Sequence, residues 1–209
     1  SSNIVMSKMV LKGYEENPTK FVEGIDRIGL RKQLSWDVPL SGIEGTSSIR
    51  FPDDKDNYWS RTTLPWMSFG YESQLPPIYM LMFYNGIANG GKMIKPFIAK
   101  QFVNDGKIVE EVQAEVVNPK MSKESTREQI HDMLRGVVEN GTARVVASDY
   151  FDVAGKTGTA QIASGGSYAN NYFVSFCGYF PAEEPMYTIY VGLRKPKGVP
   201  SGGGMAGMV

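Results

Sequence analysis

The chain has 209 residues, of which 42% are hydrophobic and 21% are charged, close to the usage of ordinary globular domains and unlike disordered or collagen-like chains. Lysine plus arginine and aspartate plus glutamate both number 22, so the formal net charge is zero, which argues against a nucleic-acid-binding protein with a basic face. No apolar run is long enough to span a bilayer, and no signal peptide opens the sequence.

Helices are predicted first in chain order. Apolar residues from Ile4 to Leu11 indicate a helix that ends at Gly13, with Ser1 and Asn3 at its entrance, where such residues cap helices well. Asn17-Pro18 begins a second helix that ends at Gly29. The stretch 34–75 has no regular pattern, and a segment of that length in a compact domain is typical of a functional loop.

The middle of the chain mixes helix and strand signals. Residues 78–88 are apolar almost all round, which predicts a buried helix. Asp105-Gly106 predicts the turn of a hairpin. A capping box formed by Ser125 and Glu128 predicts the start of a fourth helix, and Gly141 its end.

Three β runs close the chain: one around Lys156, then residues 172–180 and 186–193, the last two being antiparallel neighbours across a short connection. The glycine-rich segment 202–204 is predicted to be a flexible connection near the last strand. Helices first and strands last predict an α/β chain of the α+β type, with an antiparallel sheet flanked by helices.

The segment Lys156-Thr157-Gly158-Thr159 carries the strongest chemical signal. Lysine offers a point charge, the threonines offer hydroxyl donors, and backbone N–H groups can stabilise an oxyanion. Gly155 and Gly158 leave space where a ligand or a second backbone comes close. These features indicate an anion-binding strand edge, although a Lys-Thr-Gly triplet alone is a weak motif that is more often only a strand following a turn.

The order of further motifs resembles the transpeptidase domain of class B, monofunctional penicillin-binding proteins, in the penicillin-binding protein and serine β-lactamase superfamily. Four landmarks carry the resemblance: Ser1-Ser2-Asn3 before an apolar helix, Ser68-Phe69-Gly70-Tyr71, the run from Val137 to Ala143, and the run from Ala154 to Gln161. The resemblance implies the penicillin-binding fold, incomplete at both ends, with residues 1–209 forming the C-terminal part of the transpeptidase domain.

The resemblance also implies a function for the full-length protein: D-alanyl-D-alanine transpeptidation, which cross-links peptidoglycan through an acyl-enzyme and is blocked by β-lactams. Carried onto this chain, Ser1 relays protons and Asn3 holds the substrate amide. Lys156 supplies the positive field, Thr157, Gly158 and Thr159 bind the substrate carboxylate, and the Thr159 backbone N–H forms half of the oxyanion hole.

One departure from the family pattern is important. No serine in the chain is followed three residues later by lysine, so the Ser-x-x-Lys motif of the nucleophile is absent. The resemblance places that motif upstream of Ser1, and the chain by itself is therefore expected to be inactive. Two alternatives stay open: a β-lactamase or carboxypeptidase of the same superfamily, and a non-catalytic β-lactam sensor or scaffold domain.

The remaining expectations concern partners, cofactors and location. His131 has no metal-ligand partners nearby, so no metal is expected, and no organic cofactor is implied. Cys177 is expected to be a packed small hydrophobic residue. The implied partners are peptidoglycan stem peptides, β-lactams and cell-division or elongation proteins. The implied location is the outer face of the bacterial cytoplasmic membrane, with attachment through an N-terminal anchor that the chain does not contain.

Overall fold

The computed structural model describes residues 2–35, 48–55, 58–164 and 167–209. Its helices are α1 (Asn3–Tyr14), α2 (Pro18–Ile28), α3 (Thr63–Met67), α4 (Pro77–Ala88) and α5 (Glu124–Glu139), and its strands are β1 (Met93–Ile94), β2 (Gln101–Asn104), β3 (Lys107–Glu111), β4 (Val116–Asn118), β5 (Ala154–Ser164), β6 (Ser167–Phe180) and β7 (Tyr187–Arg194). No helix among these residues is long and apolar enough to cross a bilayer. The helices and antiparallel sheets confirm the predicted α+β class.

The chain divides into two compact units. The first contains Ser1–Pro76 and Phe97–Ala114, and the second contains Pro77–Pro96 and Glu115–Val209. In the first unit, a small core forms around Val22, Ile49 and Met67, with Trp59 packed against it. The α2 boundaries follow the predicted signals, because the Asn17 side chain accepts a hydrogen bond from the Lys20 N–H and Gly29 closes the helix in the left-handed conformation.

The hairpin of the first unit also follows its sequence signal. Strands β2 and β3 pair antiparallel across Asp105 and Gly106, whose φ angles of 48° and 75° are those of a type I′ turn. Within the predicted irregular stretch 34–75, the structure contains α3, while residues 36–47 and 56–57 lie outside the described residues.

Two predicted helix boundaries in this chain are wrong. Helix α1 continues through Gly13 to Tyr14, and its cap is Ser2, whose Oγ accepts a hydrogen bond from the Val5 N–H. Helix α5 begins at Glu124 after the capping residue Lys123. Ser125 is thus already inside the helix, where its hydroxyl cannot form the predicted capping box with Glu128.

The second unit is built on a three-stranded antiparallel sheet with the order β5-β6-β7, which confirms the predicted pairing of the last two strands. Alternate side chains of the sheet enter two cores. One core packs Cys177 and Tyr179 against residues of α4 and α5. The other packs Val174 and Phe176 against the end of α5 and Ala206. Both faces of β6, the central strand of this sheet, are therefore fixed by packing.

Candidate active site

The Lys-Thr-Gly-Thr segment lies on β5, an edge strand of the sheet. Lys156 lies opposite Cys177, Thr157 opposite Phe176, and Gly158 opposite Ser175. In the described part of the chain, no strand pairs with the other edge of β5. The segment is therefore held rigidly by β6 on one side, and its other edge is free to receive an extended ligand.

Close packing explains both glycines of the segment. A Cβ on Gly155 would lie 2.8 Å from the carbonyl oxygen of Cys177 and would also overlap the Phe176 ring. A Cβ on Gly158 would lie 2.6 Å from the Ser175 hydroxyl. Real Cβ atoms essentially never approach other heavy atoms below 3.0 Å. A side chain at Gly155 would therefore push β5 away from β6, whereas one at Gly158 would require the Ser175 hydroxyl to move.

The Lys156 ammonium group lies at the free edge of β5. Its Nζ donates to the Thr157 carbonyl oxygen at 2.7 Å and lies 3.4 Å from Thr157 Oγ1. Burial lowers the pKa of Lys156 from the ordinary lysine value, because desolvation disfavours the charged form. The site therefore holds a partly desolvated cation beside a hydroxyl group and a carbonyl group.

The contact of Lys156 also shows which backbone groups of β5 point to its free edge. The Thr157 carbonyl faces the free edge of β5, since it accepts from the Lys156 side chain. Along a strand, N–H and C=O groups of alternate residues point the same way. The N–H of Thr159, two residues later and before the bulge beyond Gln161, therefore points to the free edge.

Thr157 has a hydroxyl neighbour from another element. Thr142 Oγ1 lies 2.8 Å from Thr157 Oγ1. Thr142 follows the end of α5, in a turn in which the Gly141 and Ala143 N–H groups both donate to the Val137 carbonyl oxygen at 3.1 Å. Ala143 is fully buried in the second core. The turn is therefore anchored on both sides of Thr142.

The glycine-rich segment near the C terminus packs against the same strand, so its prediction as a flexible connection is wrong. Gly202 and Gly203 are buried, and the Gly202 N–H donates to Thr159 Oγ1 at 3.3 Å. Three successive glycines allow backbone to lie directly on backbone. The run of glycines in the sequence indicated such a close approach, but no neighbouring residue identified β5 as the element against which it packs.

Of the two predicted residues at the start of the chain, Asn3 lies in the first unit. Asn3 is the first residue of α1 and is exposed. Ser1 lies outside the described residues. The structure thus brings together Lys156, Thr157 and Thr159, and adds to them Thr142 and Gly202, to which the sequence had assigned no role.

The lone cysteine and the lone histidine lie in the second unit, and both are engaged in packing. Cys177 is buried, and burial raises the pKa of its thiol to about 12, which makes it a poor nucleophile. His131 Nδ1 lies 2.9 Å from the hydroxyl of buried Tyr179. Among the described residues, no group of three or more His, Cys, Asp or Glu side chains could hold a metal ion.

The protein-family model described as "Penicillin binding protein transpeptidase domain" matches residues 1–208 of the chain. Stage V sporulation protein D of Bacillus subtilis is 33% identical over 196 residues, which is 88% of this chain and 30% of that protein. A probable peptidoglycan D,D-transpeptidase, PbpC of Pseudomonas aeruginosa, is 30% identical over 98% of this chain and 33% of that protein. The chain thus spans about a third of the length of these relatives.

Solved structures agree with this match. The transpeptidase domain of penicillin-binding protein 3 from Burkholderia pseudomallei superposes with a TM-score of 0.76 at 25% identity, covering 99% of this chain and 58% of that one. Penicillin-binding protein 3 of Mycobacterium tuberculosis, in complex with aztreonam, gives a TM-score of 0.78 at 25% identity, covering 93% of this chain and 43% of that one.

Proposed function

Because the chain belongs to the penicillin-binding protein transpeptidase domain family, we propose that it is the C-terminal part of a D-alanyl-D-alanine transpeptidase domain that cross-links peptidoglycan. The observation that carries the proposal is the free edge of β5, where the Lys156 ammonium group, two threonine hydroxyls and the Thr159 N–H lie together. Such an edge binds a carboxylate and an oxyanion side by side, which are the two charges of this reaction.

In the proposed reaction, a serine Oγ attacks the carbonyl carbon of the penultimate D-alanine of a stem peptide. The Thr159 N–H donates to the oxyanion that forms, and Thr157 and Thr159, with Gly158 between them, bind the terminal carboxylate. Collapse of the tetrahedral intermediate expels D-alanine, which takes a proton as it leaves. An amine of a neighbouring stem peptide then attacks the acyl carbon, the ester bond to the serine breaks, and a proton from the amine returns to the serine oxygen as the cross-link forms.

Lys156 has two roles in this proposal. Its positive charge attracts the carboxylate, and its lowered pKa brings it closer to the range in which an ammonium group exchanges protons at neutral pH. Ser1 would relay protons between nucleophile and leaving group, and Asn3 would hold the substrate amide. The last two assignments rest on the Ser-x-Asn pattern and stay predictions.

The nucleophile itself lies outside this sequence in our proposal. No serine in the 209 residues is followed three positions later by lysine, and the relatives are about three times as long as the matched region. We therefore place the Ser-x-x-Lys segment upstream of Ser1. Because peptidoglycan is cross-linked outside the cytoplasmic membrane, we also propose that the full-length protein acts at the outer face of that membrane, with stem peptides and β-lactams as ligands. Division or elongation proteins stay predicted partners.

The test is acylation by a fluorescent penicillin followed by intact-mass measurement. A full-length protein that carries this chain and the upstream serine should gain one adduct. Lys156→Ala should slow acylation by about 100-fold or more, as the loss of a preorganised charge does in other acyl-transfer sites. Lys120→Ala, a matched change at an exposed lysine of the same unit, should leave the rate unchanged.

Two results would overturn the proposal. A folded full-length protein that never forms the adduct is not a transpeptidase, and a non-catalytic sensor or scaffold would replace the proposal. Equal rates for the wild type and Lys156→Ala would instead remove the assigned role of β5.

A further inference from the structure

Thr142 stands beside the proposed carboxylate-binding strand without an assigned role. Its hydroxyl oxygen lies 2.8 Å from Thr157 Oγ1, closer than any other side-chain hydrogen-bond distance recorded for Thr157. We propose that Thr142 is a positioning residue, which donates its hydroxyl proton to Thr157 Oγ1 and so directs the single Thr157 proton to the substrate carboxylate. This inference rests on the proposed function and adds a residue to it.

The hydrogen-bonding capacity of the Thr157 hydroxyl is limited. A threonine hydroxyl has one proton to donate and two lone pairs to accept with. The Lys156 ammonium group has only protons to offer, so its contact of 3.4 Å uses one Thr157 lone pair. The contact with Thr142 then decides what happens to the Thr157 proton, since either oxygen of that pair can be the donor.

A bound carboxylate determines which of the two threonine hydroxyls donates to the other. Hydrogen bonds to ionised acceptors are about twice as strong as bonds between neutral groups, so the Thr157 proton turns to the carboxylate. Thr142 can then donate to the second lone pair of Thr157 Oγ1. Donation into a hydroxyl oxygen polarises its own O–H bond, and the two bonds in series strengthen one another.

The surroundings of Thr142 fit a positioning role. Its backbone is held by the paired N–H donations to Val137 O and by the burial of Ala143. On its other side Gly203 packs so closely that a Cβ there would overlap the Thr142 carbonyl oxygen. Threonine itself is β-branched and stiff at χ1. A fixed backbone and a stiff side chain keep the hydroxyl in place before the ligand arrives, which lowers the entropy cost of the contact.

The test uses the full-length protein that carries this chain and two matched acyl donors, one with a free terminal carboxylate and one with that carboxylate as its methyl ester. Thr142→Val should lower kcat/KM for the acid donor about fivefold to tenfold, the value of one hydrogen bond, mainly by raising KM. The same variant should change kcat/KM for the ester less than twofold. Thr142→Ser, which keeps the hydroxyl, should restore the acid donor to within about twofold.

Two further variants separate positioning from general structure. Thr126→Val makes the same replacement at an exposed threonine of α5 and should change neither donor. In a Thr157→Val background, Thr142→Val should have no further effect on the acid donor, since the hydroxyl that it positions is gone. Should Thr142→Val not fold, Thr142→Ala and Thr142→Ser make the same comparison.

The outcomes are distinct. Equal losses with both donors, or additive losses in the double variant, overturn the positioning role while the proposed transpeptidase activity stands. If the wild type is acylated by neither donor nor by penicillin, the proposed function falls and this inference falls with it.

Discussion

Replacing Gly202 with alanine tests whether the C-terminal glycine turn fixes β5. The Cβ of Gly202→Ala would lie 2.6 Å from Gly158 O, 2.9 Å from Ser175 O and 3.0 Å from Gly158 N. All three are backbone atoms of paired strands and cannot rotate away as a side chain can. The turn must therefore lift from the sheet, and overpacking of this kind costs about 1–3 kcal/mol.

Gly204 provides a matched control two residues away. Its added Cβ would meet only the Ser201 side chain, with Oγ at 3.1 Å. Alanine restricts the unfolded chain similarly at both positions, so the difference between the two variants isolates the clash. We expect Gly202→Ala to be less stable than Gly204→Ala by about 1–3 kcal/mol, which for a chain of this size corresponds to about 2–12 °C in Tm.

The assay is thermal and urea unfolding of the wild type and both variants, followed by acylation kinetics on the full-length protein that carries each change. Lifting the turn also removes the Gly202 N–H from Thr159 Oγ1, which it now meets at 3.3 Å, so acylation should slow in Gly202→Ala alone. Equal stability of the two variants would refute the reasoning, because it would mean that the turn is not in contact with the sheet.

Two further predictions concern buried polar groups. Burial lowers the pKa of Lys156 in the folded chain, so below the ordinary lysine pKa of 10.5 the unfolded chain binds more protons than the folded chain. The unfolding free energy of the wild type relative to Lys156→Met should therefore rise from pH 7 toward pH 10.5. Urea unfolding across this range checks it, and a flat or falling difference contradicts it. Tyr179→Phe removes the contact of 2.9 Å with His131. It should lower the unfolding free energy measured in denaturant by about 1 kcal/mol. An unchanged unfolding free energy would mean that water fully replaces the phenol hydroxyl as the partner of His131.

Local signals in the sequence predicted much of the fold. Helix α2 needed only Asn17, Pro18 and Gly29, because caps act within one turn of the helix. The β2–β3 hairpin needed only Asp105 and Gly106, since the φ angles of the turn select such residues. Each of these signals concerns residues that are neighbours in the chain, and each was confirmed.

The predictions failed where partners are distant or where two local readings compete. The contact of Gly202 with Thr159 joins residues 43 positions apart, and no local pattern encodes it. The Ser125 and Glu128 pattern was local but wrong, because the chain begins α5 at Glu124 and places an acidic residue in the first turn, where it favours the helix dipole.

The candidate site was also predicted only in part from the sequence. Lys156, Thr157 and Thr159 were identified from their own segment, and the structure places them on the free edge of β5. Thr142 lay within a recognised run, but its contact with Thr157 depends on how the turn after α5 meets the sheet. Chemistry was readable from residue types, whereas the arrangement of the supporting residues was set by tertiary packing.

The meander of β5, β6 and β7 has a consequence for the order of folding. Each strand pairs with its neighbour in the chain, so the sheet closes only short loops and can form early. The Gly202 contact joins residues 43 positions apart in the chain, and it needs a sheet that already exists. We expect the sheet to be structured in the folding transition state and the glycine turn to dock after it, so that the anion-binding edge is the last part of this unit to mature.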